Sequence, residues 1–348
     1  MANRKYGSHD RRQIVSKASD PGSRKMNELP PHRVLCGSTL YRFEDRSLHI
    51  GHSSGFFSNV TVTLLALCDL LNDGLEVEQI HYRYSFATYR GAEQPIYDHD
   101  LYPEYFALNR SMRLPDPLPR RFVDHHGLYD ELDYKCLNML VRRYFTPSPR
   151  INDIVSGWET KYGFDGSKTI GVCYRGTDKQ REVTLAQPSA FLEATRRIVQ
   201  SHPECRVLIQ TDQLQVRDLF LREFGDCCWY LEEMPVTGGG FALQHLSSSE
   251  RGVDRFIFGQ RIVATALMLS KCAHLVNHTG NMGFWIALLR GHYGSAIQFG
   301  PGGRILTPVR RRWHNARNEF LRYVNYYSRP ANVIDKMRRM LVGLFRGT

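Results

Sequence analysis

Short apolar runs alternate with longer amphipathic stretches through the second half of the chain. Runs of three to six mainly apolar residues predict strands at 169–174, 206–210, 228–231, 274–276 and 296–299. Apolar residues at helical spacing predict helices at 189–200, 214–224, 254–271 and 282–289. Because strands and helices alternate with short connections, the pattern predicts a doubly wound parallel sheet of the Rossmann type.

The first half shows the same alternation only near its start. A strand, a Gly/Ser turn, an apolar helix and a second strand are predicted at 47–50, 51–55, 57–71 and 77–82. This order opens a parallel α/β layer. Residues 85–119, rich in Pro, Tyr, Asp and Arg, predict an irregular insertion, and long loops of this kind are often functional. A helix at 151–162 ends the first half.

These patterns divide the chain into four predicted segments. They are a disordered basic arm at 1–30, an N-terminal Rossmann-like domain at 31–163, a C-terminal Rossmann domain at 164–300 and a basic helical segment at 301–348. The net charge of +11 is concentrated in the two end segments, which carry +4 and +9. A nearly neutral body with basic ends argues against a nucleic-acid-binding function. The last segment would lie on an anionic membrane surface or pack back across the first domain.

Composition narrows the class of protein further. With 42% hydrophobic residues, the chain can bury a sizeable core. Its longest apolar stretches, at 61–71 and 262–269, are shorter than the roughly 20 residues that span a bilayer. The first residues lack the apolar core of a secretory signal, and the eight cysteines form no CxxC pair. We therefore expect a cytoplasmic protein with reduced thiols.

Polar residues directly follow the first strand of the second half. Ligands of such sheets bind beyond the carboxyl ends of the strands, so these positions are candidates for chemistry. Arg175, Asp178 and Lys179 come first along the chain. A guanidinium and an ammonium group there would bind phosphate, or the three residues would form a surface salt-bridge cluster.

Two further positions follow the next strands in the same way. Thr211 and Asp212 would contact a ribose or a base edge, or Asp212 would cap the following helix. Residues 277–281 open another helix, where backbone N–H groups and small polar side chains would make an anion site. A simple capping turn is the alternative.

Together these three positions resemble the C-terminal motifs of the α-1,6/protein O-fucosyltransferase superfamily, and most of all those of the nodulation and N-glycan-core α-1,6-fucosyltransferases. The motifs are residues 175–179, then 210–212, then 266–281 with its small polar turn. The resemblance covers about residues 165–300. In the first half, the turn from Gly55 to Asn59 is similar to the Gly-rich first turn of that family, which implies a place for both residues in donor binding.

The resemblance implies an α/β fold of the GT-B type, in which two Rossmann-like domains face a cleft. It implies GDP-fucose as the donor substrate, a glycan or other hydroxyl acceptor bound on the side of the first domain, and no catalytic metal or cofactor. Arg175 matches the arginine that holds the β-phosphate. Thr177, Asp178 and Lys179 match a Thr-Asp-Lys run in which the carboxylate organises the arginine and the ammonium group contacts the donor.

The other matched positions also lie on the donor side. Thr211 and Asp212 match the second motif, near the nucleotide. Thr279, Gly280 and Asn281 fall where the third motif places small residues and a helix start against the phosphates.

The chain also departs from the family pattern. Gly176 stands in place of a second arginine, Cys173 in place of a histidine that contacts guanine, and Thr265 in place of an aspartate that reads the base. The general base of the family falls at Val183, so Glu182 would have to serve after a shift of the loop. These departures leave open a GT-B transferase for another nucleotide sugar, or a nucleotide-sugar or glycan-binding protein without catalysis.

Three other motifs are weaker signals. Asp98 and Asp100 have the spacing of a metal-binding DxD motif, but no apolar strand precedes them. Residues 124–126 contain two adjacent histidines without a matched third ligand, which favours a polar loop over a metal site. The run of three glycines at 238–240 lacks phosphate-binding spacing and is interpreted as a flexible lid.

Overall fold

The computed structural model describes residues 32–35, 39–119, 123–177, 184–238 and 242–306. The predicted basic arm and most of the predicted basic C-terminal segment therefore lie outside the described residues. Within the described ranges, no helix is long and apolar enough to cross a membrane.

The first half contains a four-stranded sheet of mixed strand direction. Its strands are β1 (His32–Leu35), β2 (Thr39–Glu44), β3 (Ser47–Ile50) and β4 (Gln79–His81). Strand β2 pairs antiparallel with β1 and β3, whereas β3 and β4, joined through helix α1 (Phe56–Asn72), are parallel. The predicted strand, turn, helix and strand are confirmed, but this sheet differs from the parallel Rossmann-like sheet expected for 31–163.

A two-residue turn explains the antiparallel direction. Asp45 and Arg46 both have positive φ, at 45° and 59°, which is the conformation of the tight turns that join antiparallel strands. Arg46 occupies a position where glycine is usual. The sequence therefore lacks the glycine that usually identifies such a hairpin turn.

The expected irregular insertion follows β4. It contains the short helix α2 (Tyr102–Tyr105) and strand β5 (Phe106–Ala107). The side chain of Arg90, within this insertion, is buried and donates hydrogen bonds to the backbone carbonyls of Tyr82, Ser85 and His99. A buried guanidinium can hold several carbonyl groups at once because it carries five N–H donors. This side chain therefore organises a segment that has little regular structure of its own.

Two helices complete the first half. The chain continues through α3 (Tyr134–Tyr144), β6 (Thr146–Pro147), which pairs with β5, and α4 (Pro149–Tyr162). Helix α3 was not expected from the sequence. Ser148 caps α4 by accepting a hydrogen bond from the N–H of Ile151, and Gly163, with φ at 55°, ends it. This end lies where the sequence placed the domain boundary.

The second half forms the predicted parallel α/β sheet. Its elements are β7 (Thr169–Tyr174), α5 (Pro188–Ser201), β8 (Arg206–Thr211), α6 (Leu214–Phe224), β9 (Cys228–Trp229), α7 (Ser248–Arg251), α8 (Arg255–Ser270), β10 (His274–His278), α9 (Asn281–Arg290) and β11 (Ala296–Phe299). All four pairs of neighbouring strands are parallel. The prediction of a parallel sheet covered by helices is confirmed for this half.

The two faces of this sheet pack differently. Helices α5 and α6 cover one face, where Phe191 and Phe220 join a cluster with Ile170 and Val207. Helices α8 and α9 lie on the other face, and α8 packs against α4 while α9 packs against α1 and α3. The cluster on that face is continuous with the core of the first half. The two halves therefore share one hydrophobic core.

The strand order locates a crevice. From edge to edge the order is β11, β10, β7, β8, β9. The chain moves outward from β7 to β9 and then returns to place β10 on the other side of β7. The connections that leave β7 and β10 therefore diverge to opposite sides, and doubly wound sheets bind their ligands at this point.

Candidate functional site

A cavity of about 320 Å³ lies beyond the carboxyl ends of β7 and β10, between the two halves. The first half lines it with residues 54–58, His125 and His126, and the second half with Cys173, Arg175, Gln244 and residues 278–283. The structure thus brings together five of the predicted donor-binding residues, namely Gly55, Arg175, Thr279, Gly280 and Asn281.

The start of α9 forms one wall of this cavity. The helix begins after Gly280, which has φ at 127°, and no side chain caps it. A Cβ atom on Gly283 would lie 2.2 Å from the carbonyl oxygen of His278. Only glycine therefore lets the first turn of α9 pack this closely on the end of β10. The first N–H groups of a helix have no intrahelical acceptor, and here they belong to residues that line the cavity.

Tyr129 from the first half is bonded to the same turn. Its hydroxyl accepts the N–H of Gly280 at 2.7 Å and donates to the Gly280 carbonyl at 2.8 Å. The N–H of Gly280, expected to face the phosphates, is therefore engaged by a protein group. An anion at this helix start would therefore be bound by the next N–H groups along the helix.

A second helix start meets the same cavity. Helix α1 begins after Gly55, again without a side-chain cap, and residues 54–58 line the cavity. The Ser58 hydroxyl lies 3.0 Å from His52 Nε2, and burial lowers the pKa of His52. Asn59 does not line the cavity. Its buried amide donates to the carbonyls of Ser54 and Gly55, at 3.1 Å each, and so holds the turn in place.

Asp212 organises the loop that carries Arg175. Its buried carboxylate accepts hydrogen bonds from the Gly176 N–H at 2.9 Å and from the Thr177 hydroxyl at 2.7 Å. Arg175 Nε lies 3.9 Å from the same carboxylate. The alternative role of Asp212 as a helix cap is wrong, because Gln213 occupies the cap position of α6. Asp212 instead connects the ends of β7 and β8 and fixes the base of the Arg175 side chain.

Gly176, where the resembled motif has arginine, is closely packed. A Cβ atom there would lie 2.4 Å from Gln213 Oε1 and 2.8 Å from the ring of Tyr174. The Gln213 side chain therefore occupies the space into which a side chain at position 176 would grow. An arginine at this position would have to displace it.

A smaller cavity of about 70 Å³ adjoins the first one on the side of β8. Its walls are mainly apolar and include Phe56, Phe258 and Ile262, with Thr211 and Asp212 at the edge. Thr265 also lines it, and its buried hydroxyl has no hydrogen-bond partner among the described residues. Cys173 lies between the two cavities, and burial raises its pKa to about 12, so the thiol stays protonated.

The larger cavity suits an anion. Its described lining contains one arginine and three histidines, whereas no aspartate or glutamate is among these lining residues. Two helix starts add the positive ends of their dipoles. Three predicted site residues, Asp178, Lys179 and Glu182, lie outside the described residues, as do Gly239 and Gly240 of the predicted lid.

Neither weak metal motif forms a cluster of ligands. Asp100 accepts hydrogen bonds from the backbone N–H groups of Tyr82 and Tyr102, at 2.8 and 3.0 Å, and from His81. Burial opposes its ionisation, but these hydrogen bonds, that of His81 first, lower its pKa. Across the described ranges, no three His, Cys, Asp or Glu side chains are grouped to hold a metal ion. Asp100 therefore supports the insertion.

Several cavity residues were not predicted as site residues. They are His125, His126, Gln244 and His278, together with Tyr129, which lies behind the lining. His278 is the last residue of β10, so its position at the end of a strand was a usable signal. The two adjacent histidines had no such signal, because they sit in a loop whose place depends on contacts with the other half.

Of the comparisons with known proteins, that with solved structures gives matches. No protein-family model and no curated protein sequence matches the chain. The similar solved structures include fucosyltransferases. NodZ from Bradyrhizobium is 15% identical, with a TM-score of 0.45, over 76% of this chain and 98% of that chain. NodZ α-1,6-fucosyltransferase soaked with GDP-fucose is 18% identical, with a TM-score of 0.35, over 50% of this chain.

A plant enzyme is also similar. A variant of FUT1 from Arabidopsis thaliana in complex with GDP is 12% identical, with a TM-score of 0.34, over 86% of this chain. The chain spans about half of the GDP-fucose-soaked NodZ chain, 53%, and 58% of the plant chain. All three TM-scores are below 0.5.

Proposed function

We propose that this protein is a glycosyltransferase that binds a nucleoside-diphosphate sugar, GDP-fucose by its motifs, and transfers the sugar to a hydroxyl acceptor. One observation carries the proposal, namely that two uncapped helix starts and Arg175 converge on one cavity without a described carboxylate in its lining. Helix starts and guanidinium groups are the usual protein ligands of a diphosphate.

The arrangement suits an inverting displacement. As the bond between sugar and β-phosphate breaks, negative charge grows on the departing nucleoside diphosphate. Arg175 and the start of α9 would stabilise that charge more strongly in the transition state than in the ground state. Because these groups supply the positive charge, we propose transfer without a catalytic metal ion.

We also propose a GT-B type of division between the halves. The donor diphosphate would bind to the second half, at Arg175 and the start of α9. The acceptor would approach from the side of the first half, where the two adjacent histidines line the cavity. The location of the cavity between the halves supports this division.

Calorimetric titration tests the donor site. GDP, GDP-fucose, GDP-mannose, UDP and UDP-sugars are titrated into the wild type in the presence of EDTA, and into Arg175→Ala. We expect selective binding of GDP-fucose that is weakened at least 10-fold in Arg175→Ala. We also expect turnover to fall by about 10²–10³-fold, which corresponds to a lost charge-stabilising donor.

Arg222→Ala is the matched control, because Arg222 is exposed on α6. It should bind the donor like the wild type. A preference for UDP would support the diphosphate site but would identify a UDP-sugar, in place of GDP-fucose, as the donor. Absence of nucleotide binding in the wild type, or equal binding in Arg175→Ala, would contradict the proposal.

The departures from the motif pattern favour a second candidate, a nucleotide-sugar or glycan-binding protein without catalysis. Gly176 packs against Gln213, and the small cavity offers the Cys173 thiol and the Thr265 hydroxyl in place of a histidine and an aspartate. Release of GDP from GDP-fucose separates the two candidates, because the second predicts binding without release.

A further inference from the structure

A loop of the first half, residues 124–129, is fastened to the second half at the rim of the cavity. Gln298 in β11 donates to the Gly127 carbonyl at 2.8 Å and accepts the Tyr129 N–H at 2.9 Å. The Tyr129 hydroxyl adds its two hydrogen bonds to Gly280. Four hydrogen bonds therefore fix this loop relative to the start of α9. We call it the histidine loop.

The loop also has internal order. The Asp124 side chain accepts the N–H of His126 at 3.0 Å, and the Asp124 carbonyl accepts the N–H of Gly127 at 3.2 Å. This turn presents two adjacent histidines to the cavity. The rings of His125 and His126 are 4.1 Å apart, and the His125 ring also packs at 6.2 Å from Phe284 in α9. The His125 ring thus supports the His126 ring.

The three histidines of the cavity are not equivalent. His278 is only 6% exposed, and its ring packs 4.4 Å from Phe191 and 5.2 Å from Tyr174. His125 is partly buried between His126 and Phe284. His126 is exposed to solvent while lining the same cavity. Of the three, it alone combines access to an incoming molecule with a fixed position at the site.

We propose that His126 is the general base of the transfer, an inference that rests on the proposed transferase function. The imidazole accepts the proton of the acceptor hydroxyl. The acceptor oxygen forms a bond to the anomeric carbon, and the bond from that carbon to the β-phosphate oxygen breaks with its electron pair going to the departing diphosphate. One proton moves to His126, and one negative charge develops on the leaving group.

The position of His126 fits this role. An inverting displacement needs the base on the side of the sugar opposite the leaving group. The leaving group is assigned to Arg175 and the start of α9, and His126 lines the same cavity from its rim, where an acceptor that enters from the first half would meet it. The charged or titratable groups that face His126 are Asp124 in its own loop, His125 beside it, and Arg175 and His278 across the cavity. A histidine base suits catalysis near neutral pH.

The test measures the release of GDP from GDP-fucose, with water as the acceptor, in the full-length protein. We expect His126→Gln to lower kcat by about 10²–10⁴-fold, the usual contribution of a general base. The affinity for GDP, measured by calorimetry, should stay within twofold and also shows that the variant is folded. His202→Gln is the control, because His202 contacts His274 at the opposite, amino end of the sheet.

Two further readouts distinguish a base from a residue that only shapes the site. In the wild type, kcat should fall tenfold per pH unit on the acid side, and His126→Gln should lose this dependence. Added imidazole should restore part of the turnover of His126→Ala, but none of the turnover of Arg175→Ala. A structural role of His126 would give neither result.

Other outcomes overturn the inference in distinguishable ways. Unchanged turnover in His126→Gln, or turnover lost in Glu182→Gln but kept in His126→Gln, would remove His126 as the base and leave the transferase proposal intact. Failure of the wild type to bind GDP and GDP-fucose would overturn the proposed function, and this inference with it.

Discussion

At the scale of single residues, the site depends on one buried carboxylate that is remote in sequence from the groups it holds. Asp212 is bonded to Gly176 and Thr177, 36 and 35 residues earlier, and lies 3.9 Å from Arg175. A carboxylate accepts several hydrogen bonds at once and offers no donor. Its role is therefore to keep the loop after β7 in one conformation, with the arginine directed to the cavity.

Asp212→Asn tests this role. The amide keeps the shape of the carboxylate, but its NH₂ group faces either the Gly176 N–H or the Thr177 hydroxyl, and the ionic attraction to Arg175 is lost. We expect the free energy of unfolding in urea to fall by about 1.5–3 kcal/mol, the usual range for a hydrogen bond to a charged group. The affinity for GDP should fall at least tenfold.

Asp226→Asn is the control for this substitution, because Asp226 is exposed in the turn after α6. It should change neither the free energy of unfolding nor the affinity for GDP. An Asp212→Asn variant that is as stable as the wild type and binds GDP equally well would show that the loop holds Arg175 without this carboxylate.

The residues of the site differ in how far they could be predicted from the sequence. Arg175 directly follows β7, and Asn281 follows β10 after two residues, so the parallel sheet alone predicts that they meet at one edge. The contacts of Asp212 are long-range, and a local explanation, the helix cap, was available and wrong. The position of His126 depends on four hydrogen bonds between its loop and residues Gln298 and Gly280 of the second half, which no local pattern predicts.

At the scale of elements, the anion site depends on how closely α9 approaches β10. Gly283 allows this contact, since a Cβ atom there would lie 2.2 Å from a backbone oxygen that cannot rotate away. Gly283→Ala must move the first turn of the helix. We expect a loss of about 1–3 kcal/mol in the free energy of unfolding, together with at least a tenfold loss of GDP affinity by calorimetry.

A second helical glycine provides a matched control. Gly157 lies in α4, is exposed, and has nothing within 4 Å of the position of a Cβ atom. Because alanine is the better helix former, Gly157→Ala should raise stability by up to about 1 kcal/mol and leave GDP binding unchanged. If both substitutions raised stability, the close packing of α9 on β10 would not be the constraint inferred here.

Elements were predicted best where the pattern is regular. The predicted strands and helices of the second half lie within two residues of their expected bounds, because short buried apolar runs and longer amphipathic helices differ in length and pattern. The short helix α7 was not predicted. The antiparallel pairing of β2 with β3 was missed, since its turn at Asp45 and Arg46 carries no glycine. The residues of α3 were left without an assignment, although the structure shows a helix capped by Asp133.

At the scale of the whole molecule, the two halves predicted from the sequence are joined through a common core. Trp285 in α9 is fully buried, donates from Nε1 to the Thr61 hydroxyl of α1 at 2.9 Å, and stacks on Phe57 at 5.9 Å. This contact lies directly behind the two helix starts that form the anion site. The core therefore sets the distance between those helix starts, and the geometry of the cavity depends on the halves staying together.

This shared core predicts a single cooperative unfolding transition, where two independent domains would give two. Urea unfolding followed by far-ultraviolet circular dichroism and by tryptophan fluorescence should give the same midpoint. Trp285→Phe removes a buried hydrogen bond and leaves a gap between α1 and α9, which we expect to cost about 1–2 kcal/mol. Both probes should shift together in this variant, because neither half can lose the contact alone. Separate midpoints, or a shift confined to one probe, would mean that the second half keeps its sheet without the first, and the cavity between them would then be able to open.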